Sequence, residues 1–129
     1  MTPTFNGIDH IHINVTDRAR AESWYANVLG FRRVTELEFW SAEGGPLTLV
    51  DASNRVHLAL FESSDIQNTT IALNVSSADF TAWIKHLSKH GIEVKPIDHQ
   101  VSWSIYFKDV DGNPFEITTY EYSQLAKTS

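Results

Sequence analysis

Six histidines and one strand-borne glutamate are the residues with the most chemical reach in this chain. Ile8 to Val15 alternates cleanly, so it reads as a strand with Ile11, Ile13 and Val15 on one face and His10, His12 and Asn14 on the other. His12 and Asn14, on the face of His10, could bind substrate or hold a neighbouring ligand in its tautomer, or could simply line a polar cleft. A strand histidine also serves simply as a hydrogen-bonded structural residue. Glu116 lies between Phe115 and Ile117, which places it on the opposite face with Thr118 and Tyr120. Tyr120 could donate to an oxyanion, or stand as a rim aromatic. His99, just before a strand, could shuttle protons at a cleft mouth or sit in solvent on a loop. Asn14 and its counterpart Asn74 could line a cleft or brace strands.

Other candidate chemistries fall away. Asp109-Val110-Asp111-Gly112-Asn113 has the acids of a calcium loop, but strands rather than helices flank it, and Asp-Gly is a hairpin turn signal. Gly44-Gly45 lacks the strand-to-helix setting of a phosphate loop. No Gly-x-Ser-x-Gly motif is present, and without cysteine there is no disulfide, thiolate ligand or cysteine nucleophile. A formal charge of −6 gives no field to attract nucleic acid. No apolar run reaches the roughly 20 residues of a membrane helix, and Met1 to Asn6 has no apolar signal core. The expected location is cytoplasmic, and the expected partners include neither nucleic acid nor membrane.

The elements that must position these residues recur. After the first strand, Thr16 and Asp17 offer an N-cap, and Ala21, Trp24, Tyr25, Val28 and Leu29 form one helical stripe ended by Gly30. Arg33 to Trp40, Pro46 to Asp51 and Arg55 to Glu62 read as three strands. Ser63 to Asn68 is a polar connector. The pattern then restarts, with a strand over Thr69 to Val75 and caps at Ser76 and Ser77. Asp79 takes the capping-box position. Phe80, Trp83, Ile84 and Leu87 make the next helical stripe, which Gly91 ends. Ile92 to Ile97, Val101 to Lys108 and Pro114 to Tyr120 read as three more strands, and the tail after Tyr122 carries no pattern. Val15 aligns with Val75, Asn14 with Asn74 and His10 with Thr70. The chain of 129 residues therefore reads as α+β: two βαβββ modules, about 6–63 and 68–121. Neither half closes a core alone, and the pair predicts curved mixed sheets around a cleft with helices outside.

Three stretches carry a family resemblance: Asp9 to Val15 followed by Trp24 to Phe31; Ile71 to Val75; and Tyr106 to Ile117. Together they resemble the vicinal-oxygen-chelate superfamily of glyoxalase I, extradiol dioxygenases, fosfomycin-resistance enzymes and bleomycin-binding proteins. The resemblance implies metal ligands on the inner strands of both modules. His10 matches the first position and Glu116 the last. The position on the Arg55 to Glu62 strand falls on His57 or on Ala59. The fourth falls on Thr70, where many members have histidine. His10, His57 and Glu116 would then hold a divalent transition metal (Fe, Mn, Ni or Zn), which binds a substrate with neighbouring oxygens. His12, Asn14, Asn74 and Thr70 would contact substrate or orient ligands. Thr70, together with Asn14 where glutathione-binding members carry arginine, departs from glyoxalase I, and Thr70 also departs from the ring-cleaving dioxygenases. The other function class is a metal-free protein that sequesters a small aromatic or cationic compound, as bleomycin-binding members do. A homodimer is the assembly the resemblance implies.

Overall fold

The computed structural model describes residues 2–126. The chain divides between Gln67 and Asn68 into two compact units.

In the first unit β1 (Ile11–Val15) leads into α1 (Arg18–Trp24), which continues as a π-helical turn over Tyr25–Leu29. Asp17 caps α1 by accepting from the Arg20 N–H, and Gly30 closes the turn in the left-handed region at φ 74°. Then come β2 (Arg32–Arg33), a 3-10 turn (Thr35–Leu37), α2 (Glu38–Ala42), β3 (Leu47–Val50) and β4 (His57–Glu62). The sheet order is β1-β4-β3-β2, with β1 and β4 parallel and the other pairs antiparallel. Ile13, Val15, Leu47, Leu49, Leu58 and Leu60 are buried, and so are Ala21, Tyr25, Val28 and Leu29 of the helical stripe. Helix α1 lies against β4.

The second unit repeats this plan. It runs β5 (Ile71–Asn74), α3 (Ser77–Lys89), β6 (Ile97–Asp98), β7 (Trp103–Lys108) and β8 (Pro114–Thr119), followed by α4 (Tyr122–Ala126). Its sheet order is β5-β8-β7-β6, with β5 and β8 parallel. The Ser76 hydroxyl caps α3 at the Asp79 N–H. Phe80, Leu87, Ile105, Phe107, Phe115 and Ile117 are buried, and α3 lies against β8. Two mixed four-stranded sheets with helices confirm the α+β class and the βαβββ repeat.

Three local expectations need correction. Arg33 to Trp40 is not a strand, because the β2–β3 ladder has nothing to pair with beyond the start of β3. Val34 N–H donates to Thr48 O, and a continued strand would run past Leu47 with its backbone unpaired. The 3-10 turn and α2 satisfy those groups internally, and the Arg18 guanidinium secures the segment by donating to the carbonyls of Ser41 and Gly45. Gly45 is required there, since a Cβ would sit 2.9 Å from Trp40 O. Ile92 to Ile97 shrinks to β6 at Ile97–Asp98, because Pro96 has no N–H for the ladder. The patternless tail forms α4, docked by Tyr122, whose ring stacks on Trp103 at 5.5 Å and whose hydroxyl donates to the Asp98 carboxylate.

The β3–β4 connection is held by one carboxylate. Asp51 accepts from the backbone N–H groups of Ser53, Arg55 and Val56 and from the Ser53 hydroxyl. Partial burial pushes its pKa up, but the hydrogen bonds outweigh this and hold it below the usual aspartate value. A carboxylate with a depressed folded pKa stabilises the fold above its unfolded pKa of about 3.9, and the contribution fades as pH falls through the folded value. Asp51→Asn should therefore lower the urea midpoint at pH 7, and the gap to the parent should narrow on acidification below about pH 4. A gap independent of pH would contradict this role.

Candidate metal and substrate site

Strand registers decide which side chains share a face. In the first unit His12 pairs with Ala59 and Asn14 with Phe61 across β1 and β4, while Thr48 pairs with Ala59 and Val50 with His57 across β3 and β4. Paired residues point the same way, so His12, Asn14, His57, Ala59 and Phe61 line the sheet face opposite the leucine core. His10 continues the alternation just before β1. Its Nδ1 lies 2.8 Å from Asp9 Oδ2 and its Nε2 lies 3.0 Å from His12 Nε2. The two rings stack at 4.9 Å, and Phe61 sits 4.6 Å from the His12 ring. With neutral rings, donation from His10 Nδ1–H to Asp9 leaves His10 Nε2 as the bare lone pair, and His12 Nε2–H donates to it. His57 opens β4, half-buried.

In the second unit Glu116 on β8 pairs with Ala72 on one side and Tyr106 on the other. The fully buried Ser104 donates to Glu116 Oε2 at 2.7 Å and lies 3.0 Å from Thr118 Oγ1. Thr118 in turn donates to Trp103 O. Glu116 is thus a half-buried carboxylate held from below, with one oxygen committed to Ser104. His99 is brought in by a turn in which its N–H donates to Ser102 O and Gln100 takes φ 72°. Its Nε2 then meets the Tyr106 hydroxyl at 2.9 Å. The result is a continuous polar set of Ser104, Tyr106, Glu116, Thr118 and His99. Asn74 is paired with Thr118 and exposed, Thr70 stands exposed before β5, and Tyr120 is 68% exposed beyond the end of β8.

Tyr106 was readable from the sequence as an aromatic that could line a cleft or cover an interface, whereas Ser104 is the site-face residue that the strand patterns did not single out. The signal was present in the Asp111-Gly112 hairpin. Asp109 accepts from the N–H groups of Asp111 and Asn113 and from the Asn113 side chain, which consumes the carboxylate that a calcium loop would need. That turn fixes Lys108 opposite Pro114, and two residues further in it sets Tyr106 opposite Glu116.

The registers also relate the two units. Ile11 faces Leu58 as Ile71 faces Phe115, so Ala59 stands at the position of Glu116 and His57 at that of Pro114. Among the described residues no three or more His, Asp or Glu side chains gather into a cluster that could hold a metal ion. The first unit offers two imidazoles in contact and the second an oriented carboxylate. Imidazole and carboxylate are both donor types that divalent metals take.

Residues 7–117 match the model of the Glyoxalase/Bleomycin resistance protein/Dioxygenase superfamily. The metallothiol transferase FosB of Staphylococcus haemolyticus is 29% identical over 121 residues, spanning 88% of this chain and 83% of that protein. The fosfomycin resistance protein FosX from Listeria monocytogenes superposes with a TM-score of 0.73 at 20% identity, over 98% of this chain and 100% of that one. A variant of that FosX, complexed with Mn(II) and 1S,2S-dihydroxypropylphosphonic acid, gives a TM-score of 0.71 at 20% identity over 96% and 99% of the two chains. The structural likenesses carry the fold, while the family match covers most of the sequence. The chain belongs to the glyoxalase/bleomycin resistance protein/dioxygenase superfamily.

Proposed function

We propose that the protein is a metal-dependent enzyme acting on a small substrate with neighbouring oxygens. His10 and Glu116 are the ligands on which this reading rests, and a second imidazole comes from the same face as His10, from His57 or His12. The observation that carries the reading is the support behind each ligand. Asp9 holds His10 by Nδ1, and Ser104 holds Glu116 by Oε2, which is the outer-shell arrangement that orients metal-binding side chains. A divalent metal bound there would supply Lewis acidity to two vicinal substrate oxygens. Tyr106, steadied by His99, presents a hydroxyl beside Glu116 that can hold or hand over a proton at a substrate oxygen. Asn14, Asn74 and Thr70 supply further polar contacts, and Tyr120 an exposed phenol. The FosX variant complexed with Mn(II) and a dihydroxypropylphosphonic acid makes Mn(II) the first metal, and oxygen-rich phosphonates the first substrates, to try. Within this reading the two modules act as one domain, and the protein is a cytoplasmic homodimer. No helix among the described residues is long and apolar enough to cross a membrane.

One pair of observations favours the other function class. The resemblance puts Thr70 where many members have histidine, and Ala59 occupies the register position of Glu116. Both remove a ligand, as in a metal-free binder of small aromatic or cationic compounds.

Metal content after purification without added metal or chelator separates the two. The enzyme reading predicts near-stoichiometric transition metal, lost in His10→Ala and in Glu116→Gln. An empty protein that also refuses added Mn(II), Fe(II), Ni(II) and Zn(II) would overturn it. Ser104→Ala should weaken Mn(II) binding by about 10–100-fold, read by electron paramagnetic resonance titration, because Glu116 loses the donor that orients it. Unchanged affinity would remove Ser104 from the site.

A further inference from the structure

The geometry points to His12 as the second imidazole ligand, so that one strand supplies both histidines as a His10-x-His12 chelate. This inference rests on the metal-dependent reading above and goes beyond it by naming which imidazole is the second donor.

The separation of the two nitrogens is the first observation. His10 Nε2 and His12 Nε2 lie 3.0 Å apart. Two nitrogens each about 2.0–2.1 Å from one metal and at a right angle to one another are separated by about 3.0 Å. The 3.0 Å spacing, that of a hydrogen bond in the structure, is also one that two ligands of a single metal could keep. Without metal, the contact is a hydrogen bond that needs one proton between the rings. A metal held by both rings would need both Nε2 lone pairs, so its binding would release that one proton to solvent.

Orientation is the second observation. Residues i and i+2 of a strand project to one face, so the chelate needs no unusual backbone. Asp9 fixes the tautomer of His10 that leaves its Nε2 lone pair free. Phe61, paired with Asn14 on β4, flanks the His12 ring at 4.6 Å and limits its rotation. His12 is exposed, so its nitrogen is within reach of an ion arriving from solvent. His57 occupies the same sheet face, but it stands at the register position of Pro114 rather than that of Glu116.

The test uses the full-length protein with Co(II) and Mn(II) as probes. Co(II) reports its ligands by visible absorption, and Mn(II) affinity is read by resonance titration. The variants are His12→Phe, which keeps an aromatic ring against Phe61, and His57→Ala. Thermal unfolding in chelator confirms that each variant is folded. The expected result is at least a tenfold loss of affinity in His12→Phe with an altered Co(II) spectrum, and near-parent behaviour in His57→Ala. Full binding and an unchanged spectrum in His12→Phe would overturn the His12 assignment while leaving the metal-dependent reading intact. Failure of the parent protein to bind either ion would overturn both.

Discussion

The structure depends on one pairing used twice: the first strand of each module lies parallel to its last. Ile11 facing Leu58, and Ile71 facing Phe115, fix the register of everything else in each sheet. A one-residue slip would turn every apolar side chain outward, so burial of Leu58 and Leu60 in one unit and of Phe115 and Ile117 in the other locks that register. The same register dictates that His12 and Glu116 project to the sheet faces opposite Leu58 and Leu60 and opposite Phe115 and Ile117. Chemistry on the polar face is a consequence of packing on the apolar one.

Polar side chains on that face are then ordered by local hydrogen bonds. Asp9 orients His10, and His10 meets His12. Ser104 and Thr118 brace Glu116, while His99 steadies Tyr106. Several of these contacts span one or two residues or one strand pair, so short-range geometry can hold the groups in place. The two units differ at matched positions. The first carries Ala59 where the second carries Glu116, and the second carries Thr70 where the first carries His10.

Much of this was legible in the chain. Period-two alternation in Ile8 to Val15 and around Glu116 gave the faces, while Asp17, Ser76, Gly30 and Gly91 marked helix ends through specific backbone chemistry. The repeat gave the βαβββ order. What was not legible depended on partners far along the chain. Thr35 to Trp40 alternates like a strand, yet β3 is too short to pair with it, so it coils instead. The brace from Ser104 to Glu116 needs the β7–β8 register, which Asp109 sets through its turn. The meeting of His10 with His12 follows from ring rotamers, which alternation leaves undetermined.

The most direct test of the account is X-ray absorption at the metal edge of the protein loaded with one equivalent of Mn(II). The account predicts a mixed nitrogen and oxygen shell with outer-shell scattering from two imidazoles, both from the polar face of β1 and its approach. A shell of oxygens alone, or one with a single imidazole, would contradict it.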